Sequence, residues 1–443
     1  MKLTKISVEE NKQNFSLSGF PFAGILAPSV LKGEIKQTHY MIPSTDSSLI
    51  ALQMDLTAAA ENCKADFEKS RSSISVAGDA FPYKMTESQW WQYCLAPHSY
   101  LSLGNNHYQI GLNLFNRFLH LNCQDLTASL VDPEIGEECL STTNWFDPVN
   151  EEIWFASWPL ESTFRRILNP GEEVSVKIWK LSLCTEQAQK IWQGHLGDAL
   201  HQIVLSADRR FVVLTELGLR CGNPVNSQSS EKASTAKEPK SDQTGLIPSR
   251  TLFLDRKEGK EWIFSIPTAG HVEFDPEKAD ICYLSGHNIG LLGMKVGIFG
   301  RGVIQKIRFR ESGPEILGEF THEHFYRITT HIVFRHRGKT LIAVSGYPGT
   351  LFLIDAAAMK LFKMIPLETV DKVDISSAPH LCQQDSYGIG SSKDGEYIAI
   401  VGTGFIKVAD INRGVFVENR VLDDYTPNSC FTGHIGNFLS AQG

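Results

Sequence analysis

The feature of this sequence that most constrains its fold is a recurring unit: a histidine opens an apolar run, a polar turn follows, and a second apolar run comes next. Residues 199–216 read ALHQIVLSADRRFVVLTE, residues 268–288 read TAGHVEFDPEKADICYLSGHN, and residues 330–346 read THIVFRHRGKTLIAVSG. Apolar runs of strand length separated by polar turns predict paired antiparallel strands. Recurrence of the unit predicts a repeat fold.

Seven such units can be placed along the chain, and they begin at His39, His107, Asn144, His201, His271, His331 and Tyr387. One small sheet cannot bury both of its faces, whereas sheets stacked around an axis can, and they leave few free edges. We therefore predict an all-β fold, a seven-bladed β-propeller that forms a single domain over residues 1–443. A pair of β-sandwich domains is the alternative.

Two kinds of segment interrupt the units. Residues 222–249 are rich in Ser, Lys, Glu and Pro and contain few large apolar side chains. Such a composition predicts a disordered loop, which would lie inside the fourth blade. We expect residues 1–38 and the tail at 423–443 to return to the first blade and close the ring.

The bulk composition excludes several classes of function. The net charge is −8, so there is no global attraction to nucleic acid or to an anionic membrane. The apolar runs are too short to span a bilayer, and the N-terminus lacks the apolar core of a signal peptide. The nine cysteines form no C-x-x-C pair, which argues against a zinc ribbon. We expect a cytoplasmic protein with no nucleic-acid or membrane partner.

Five of the seven units open with a histidine: His39, His107, His201, His271 and His331. The first strand of a propeller blade lines the central channel, so these side chains should lie at one level around the axis. Converging neutral imidazoles predict a site for a divalent transition metal, namely Mn, Fe, Cu or Zn. The alternative is that a blade-start histidine bonds the backbone of a neighbouring blade or contacts channel water.

A second cluster lies in GEFTHEHF, residues 318–325, where Glu319, His322 and His324 are spaced E-x-x-H-x-H. On an extended strand, His322 and His324 would point to the same face. With the carboxylate they predict a metal-ligand set that His271 or His331 would complete. The alternative is an exposed polar loop. The sequence does not decide whether the two clusters form one site.

The run at 271–288, followed by E-x-x-H-x-H ahead of a strand-turn-strand unit, resembles the oligogalacturonate lyases. This resemblance implies a cytoplasmic seven-bladed propeller that binds manganese through histidines and a glutamine and uses a histidine base for β-elimination. His271, His322 and His324 would then match the metal histidines, Glu319 would replace the glutamine, and His201 would be the catalytic base. The C-H-E-G run of that family appears here as SGHN at 285–288.

The ring of histidines is also similar to that of the carotenoid-cleaving oxygenases, seven-bladed propellers in which four axial histidines hold iron. The sequence thus predicts a metal-dependent enzyme that performs elimination or rearrangement on a small organic substrate. The metal would stabilise developing negative charge, and His201 would move the proton. A metal oxygenase on the same fold is one alternative. A metal-free propeller that serves as a protein-interaction scaffold, with a protein partner, is the other.

Overall fold

A computed structural model describes residues 1–16, 25–26, 36–41, 48–65, 68, 97–105, 107–112, 117–136, 138–141, 143–162, 173–197, 200–216, 219–222, 246–247, 249–266, 270–286, 289–292, 295–298, 301–325, 327–347, 350–366, 386–392, 394–402 and 405–421. Strands dominate these ranges. Within them, no helix has the length and apolar character needed to cross a membrane.

The first strands are β1 (Lys2–Ser16), β2 (Ile25–Leu26), β3 (Lys36–Met41) and β4 (Ser48–Asp55), and a short helix, α1 (Thr57–Asn62), follows them. The next group is β5 (Pro97–Gly104), β6 (His107–Leu112), β7 (Phe118–Asn122), β8 (Thr127–Asp132) and β9 (Glu138–Leu140). Then come β10 (Trp145–Asp147), β11 (Glu152–Pro159), a 3-10 turn (Leu160–Ser162), β12 (Val174–Ser182) and β13 (Ala188–Leu196).

The chain continues with β14 (Leu200–Leu205), β15 (Phe211–Glu216), β16 (Leu219–Gly222), β17 (Leu246–Ile247), β18 (Ser249–Asp255) and β19 (Lys260–Ile266). Next are β20 (His271–Phe274), β21 (Ile281–Ser285), β22 (Ile289–Leu292), β23 (Lys295–Ile298), β24 (Ile304–Arg310) and β25 (Gly313–Phe320). The last strands are β26 (Arg327–His336), β27 (Lys339–Tyr347), β28 (Thr350–Asp355), β29 (Lys360–Pro366), β30 (Ser386–Ser391), β31 (Tyr397–Gly402), β32 (Phe405–Asp410) and β33 (Val415–Val421).

These strands form six blades, each an antiparallel meander of four strands running from an inner to an outer position. Blade 1 is β5–β8 and blade 2 is β10–β13, with β9 paired to β11. Blade 3 is β14, β15, β18 and β19, and blade 4 is β20, β21, β24 and β25. Blade 5 is β26–β29 and blade 6 is β30–β33. The all-β propeller expected from the sequence is confirmed.

The predicted number of seven blades is wrong: the described residues form six. The unit predicted to start at His39 becomes β3 and β4, which extend the sheet of blade 1 instead of forming a blade of their own. The reason is the length of β1, which pairs with β8 over residues 2–6 and with β4 over residues 7–16. One bent strand therefore joins both groups into an eight-stranded sheet. Closure of the ring by the chain ends stays a prediction, because residues 422–443 lie outside the described residues.

The hairpins between the third and fourth strands of blades 3, 5 and 6 share the same turn, which an aspartate begins. Asp255, Asp355 and Asp410 end the third strands of blades 3, 5 and 6, and each carboxylate accepts hydrogen bonds from backbone N–H groups two or three residues later. Four residues after each aspartate the backbone φ is positive, at 63° for Gly259, 50° for Met359 and 70° for Gly414. Aspartate-capped turns of this kind end the third strand and start the fourth at a fixed spacing.

An apolar cluster fills each interface between consecutive blades. Between blades 3 and 4, for example, Val213 and Phe253 pack with Val272, Cys282 and Leu284. Similar clusters join blades 1 and 2, 2 and 3, 4 and 5, and 5 and 6. Burial of both faces of a blade by its two neighbours is what stabilises the stack.

Insertions between the second and third strands distinguish blades 3 and 4 from the others. In blade 3 the inserted strands are β16 and β17, and in blade 4 they are β22 and β23. These four strands are not part of the blade sheets, because β16 pairs in parallel with β22 and all four form a small separate sheet. The predicted disordered loop at 222–249 falls here. Gly222 at its start is the last residue of β16, and at its end lie β17 and the first residue of β18, Ser249. Residues 223–245 lie outside the described residues.

Candidate functional site

Three of the predicted histidines lie close together on the first strands of blades 3, 4 and 5. His201 lies in β14, His271 opens β20, and His331 lies in β26, so blades 3, 4 and 5 each contribute one. The ring centroids of His201 and His271 are 4.4 Å apart, and those of His271 and His331 are 6.5 Å apart, both in edge-to-face geometry. We call these three residues the histidine layer. The three rings lie close together, and their grouping as a metal or catalytic site stays a prediction.

His331 uses both ring nitrogens in hydrogen bonds to blade 4. Its Nε2–H donates to the Tyr283 carbonyl oxygen at 3.2 Å, because a carbonyl can only accept. In the neutral ring Nδ1 is then an acceptor, and the Ser285 hydroxyl donates to it at 2.6 Å. Burial lowers the pKa of His331 to about 4, against a smaller opposing effect of the Tyr283 bond. The ring is therefore neutral at pH 7 and links blade 5 to blade 4.

His201 makes a similar connection between blades 3 and 4. Its Nδ1–H donates to the Gly270 carbonyl oxygen at 3.0 Å, and the Thr215 hydroxyl donates to the same oxygen at 2.6 Å. The side chain is fully buried, and this burial lowers its pKa to about 4. A general base works best with a pKa near the operating pH and within reach of its substrate. In this arrangement, His201 instead bonds the backbone of a neighbouring blade.

A buried glutamine completes the connection between blades 3 and 4. The Gln202 Oε1 accepts from the Val272 N–H at 2.9 Å, and its Nε2 donates to the Glu273 Oε1 at 3.4 Å. Burial raises the pKa of Glu273 to about 7, and the bond from Gln202 opposes this rise. The residues around the histidine layer thus bond one another across blades.

The E-x-x-H-x-H cluster does not lie on a strand face, contrary to the prediction. Strand β25 ends at Phe320, and His322 and His324 fall in the turn that follows, where the His324 N–H donates to the His322 Nδ1 at 3.2 Å. The His324 side chain is 57% exposed. The Glu319 Oε1 accepts from the Gln305 Nε2 at 2.6 Å. The turn forms because the Phe325 N–H bonds the His322 carbonyl at 3.0 Å and the Phe325 ring is buried.

The two remaining predicted ligands lie on other strands. His107 begins β6, the second strand of blade 1, and its ring centroid is 5.5 Å from that of His120 on β7. His39 lies in β3, within the extension of the blade 1 sheet. Neither opens an inner strand, because β5 precedes β6 and the predicted first unit is not a blade. Across the part of the chain that the structure describes, no three His, Cys, Asp or Glu side chains are grouped as a metal would require.

A surface that the sequence reasoning missed lies on the outer strands. Seven of the nine large apolar side chains that are exposed within the described residues belong to the fourth strands of blades 3–6: Ile263, Ile316, Leu317, Leu361, Phe362, Met364 and Val415. Five of them lie on β25 and β29, and we call these five the outer-strand patch. The signal in the sequence was weak, because EILG and KLFKMIP read as ordinary half-buried strands.

The outer-strand patch spans two neighbouring blades. Gly318 of β25 lies against the outer hairpin of blade 5, since a Cβ there would be 3.4 Å from the Met359 Cγ. The Lys363 Nζ of β29 donates to the Ile411 carbonyl of blade 6 at 2.7 Å. Each outer strand is thus held by the next blade, and its exposed apolar side chains are presented by a fixed backbone.

Comparisons with known proteins identify no family for this chain. No family model matches the chain, and no curated protein matches it either. Among solved structures, the chain is similar to the WD40 β-propeller domain of Doa1, at 10% sequence identity and a TM-score of 0.46, over 74% of this chain and 82% of that one. The resemblance to the oligogalacturonate lyases finds no support among these comparisons. The propeller itself follows from the strand order described above.

Proposed function

We propose that this protein is a propeller scaffold that binds another protein through the outer-strand patch. The observation that supports this most is the concentration of exposed Ile316, Leu317, Leu361, Phe362 and Met364 on the outer strands of two neighbouring blades. Contiguous apolar side chains on a surface mark interaction sites, whereas single ones are ordinary. Propellers commonly serve such roles, although the fold alone does not decide function.

The partner contacts side chains rather than adding a strand. The pairing of β24 with β25 shifts register between Lys306 and Ile307, and that of β28 with β29 shifts between Leu353 and Ile354. Such bulges twist an outer strand and make its free edge a poor template for another strand. The apolar side chains remain available on a twisted edge.

The charges around β29 indicate the chemistry of the partner. This strand, KLFKMIP, carries two lysines and no acid, and the Lys339 Nζ lies 5.8 Å from the centre of the Phe362 ring. Complementary charges around an apolar centre raise association rates and orient the partner. We infer a partner segment that has aromatic or aliphatic side chains and, where it meets β29, flanking carboxylates.

Peptide selection tests this proposal. A random peptide library displayed on phage is selected against the whole protein, and the winners are measured against a variant with Leu361→Ser, Phe362→Ser and Met364→Gln. The proposal expects acidic, apolar peptides whose affinity falls by about ten-fold or more in the variant and falls with added salt. A matched control, Val149→Ser, removes an exposed apolar side chain of blade 2 and should leave binding unchanged. Failure to select any peptide, or equal binding by the triple variant, would contradict the proposal.

Metal-dependent lyase or oxygenase chemistry, a small-molecule substrate in the channel and a cytoplasmic location all stay predictions. As the histidine layer is arranged, His331 does not fit a metal, because Tyr283 and Ser285 occupy both of its ring nitrogens. Metal analysis of untagged protein tests the prediction. About one equivalent of a transition metal, lost in a His271→Ala variant that still folds, would support it.

A further inference from the structure

A cavity of about 300 Å³ lies between blades 1 and 2, apart from the histidine layer and the outer-strand patch. Phe118 and Val131 of blade 1 and Ile153 and Leu181 of blade 2 line it, so most of its wall is apolar. The same four side chains belong to the apolar cluster that joins these blades. The cavity is therefore a local gap in an interface that is otherwise closely packed.

A polar row crosses the wall on the blade 1 side. Gln109 on β6 is the Cα partner of His120 on β7, and His120 is the partner of Ser129 on β8. All three line the cavity. Phe118 lies two residues from His120 on the same strand and on the same face. A row of hydrogen-bonding side chains thus stands within an apolar surface.

The buried amide of this row lacks partners within the protein as described. Gln109 is 2% exposed, and neither its Nε2 nor its Oε1 has a hydrogen-bond partner among the described residues. The Nε2 of His120 is also buried there without one. Buried polar side-chain atoms almost always have partners, so each exception needs an explanation. Here the residues that carry the unpartnered atoms line a cavity.

We propose that this cavity binds a small neutral molecule whose amide-like edge pairs with the Gln109 carboxamide. A carboxamide offers both a donor and an acceptor, and a ligand with a complementary pair satisfies both. The volume lies at the lower end of ligand pockets, which fits a molecule of about one ring. The apolar walls contact the body of that ring.

The charges at the wall favour a neutral ligand. Two residues that carry a charge line the cavity: Glu186, exposed in the turn between β12 and β13, and Met1, whose N-terminal ammonium already pairs with the Glu134 carboxylate at 2.7 Å in an exposed contact. Burial and the nearby His107 lower the pKa of His120, so the ring that faces the cavity is neutral at pH 7. A charged ligand would lose its hydration and gain no buried counter-charge.

Benzamide is a suitable probe, with benzoate as its charged analogue and acetophenone as an analogue that has an acceptor but no donor. Binding to the whole protein is measured by ligand-observed NMR, and the site is located from shifts of the Val131 and Leu181 methyl groups. We expect benzamide to shift these methyls and both analogues to bind at least about ten-fold more weakly, because each leaves buried groups unpaired. The methyl shifts need no variant and so do not depend on a variant folding.

Two variants of blades 1 and 2 complete the test. Gln109→Leu should lower benzamide affinity by about ten-fold or more, whereas Gln193→Leu, the same change on the outer strand β13, should not. Benzamide that fails to bind, that binds without shifting the Val131 and Leu181 methyls, or that binds Gln109→Leu as tightly as the unchanged protein would overturn the proposal. Because the outer-strand patch lies elsewhere, this result is independent of the scaffold proposal.

Discussion

Gln109 and Gln202 are both buried at an interface between two blades, with exposed fractions of 2% and 1%, but their surroundings differ. Gln202 accepts from the Val272 N–H and donates to Glu273 on the next blade. Gln109 has no such partner among the described residues and borders a cavity. Burial of a polar side chain therefore does not indicate its role. Hydrogen bonds within the protein indicate a structural role, whereas their absence beside a cavity is the basis of the ligand that we propose.

The same comparison applies to the histidines that the sequence marked as metal ligands. His331 is buried and bonded to blade 4, and His324 is exposed in a turn. We expect His331→Ala to lower the free energy of unfolding by about 4 kcal/mol, since it leaves a cavity and two unpaired buried groups. His324→Ala should change it by no more than about 0.5 kcal/mol. Urea unfolding of both variants measures this, and equal losses would contradict the structural role of the layer.

The pH dependence of stability sharpens the comparison further. The pKa values of His201 and His331 are about 4 in the folded protein and near 6.5, the usual value of histidine, when unfolded. Because the folded pKa is the lower one, stability is fully present above pH 6.5 and is lost as the pH falls toward 4. Each histidine should account for about 3 kcal/mol of this loss.

Unfolding free energies measured from pH 7 to pH 4.5 test this expectation. The decline should be smaller in His331→Ala, because His201 is then the only one of these two buried histidines that contributes to it. A decline of the same size in the variant and the unchanged protein would show that His331 is not the group that titrates.

Glu273 accepts a hydrogen bond from Gln202 at the contact between blades 3 and 4. Its titration should change the free energy of unfolding in the direction opposite to that of the histidines. Its pKa is about 7 when folded and near 4.5 when unfolded, so stability falls as the pH rises from 4.5 to 7. Glu273→Gln should therefore raise the free energy of unfolding at pH 8 by about 2 kcal/mol, less than the full effect because the side chain is half-buried. Little difference is expected at pH 4.5. A variant that is less stable at pH 8 would contradict this environment for Glu273.

The sequence predicted the blades best where a buried histidine lies in the first strand of a blade. His201, His271 and His331 mark blades 3, 4 and 5 because each stands at the start of an apolar run. His107 misled the same reasoning, since it begins the second strand of blade 1, whereas the first strand, PHSYLSLG, carries its own histidine, His98, at its second position. The blade count failed because the pairing of β1 with both β8 and β4 involves residues far apart in the chain.

The candidate sites were less predictable because hydrogen-bond partners come from other blades. The Gln202 Oε1 bonds a residue 70 positions later, and periodicity within one strand carries no information about such a contact. The alternation in His322 and His324 predicted a strand, but burial of Phe325 ends the extended run and forms a turn. Side-chain periodicity reports the face of a strand and not what lies opposite it.

The most direct test of this account compares Gln109→Leu with Gln202→Leu, the same change at two buried positions. Gln109→Leu should raise the free energy of unfolding by about 1 kcal/mol, because it removes a buried amide that lacks partners. Gln202→Leu should lower it by about 2 kcal/mol, because the Val272 N–H and the Glu273 carboxyl lose their partner. Urea unfolding at pH 7 gives both values. Opposite signs are the predicted result, and equal losses in the two variants would contradict the distinction between the two interfaces.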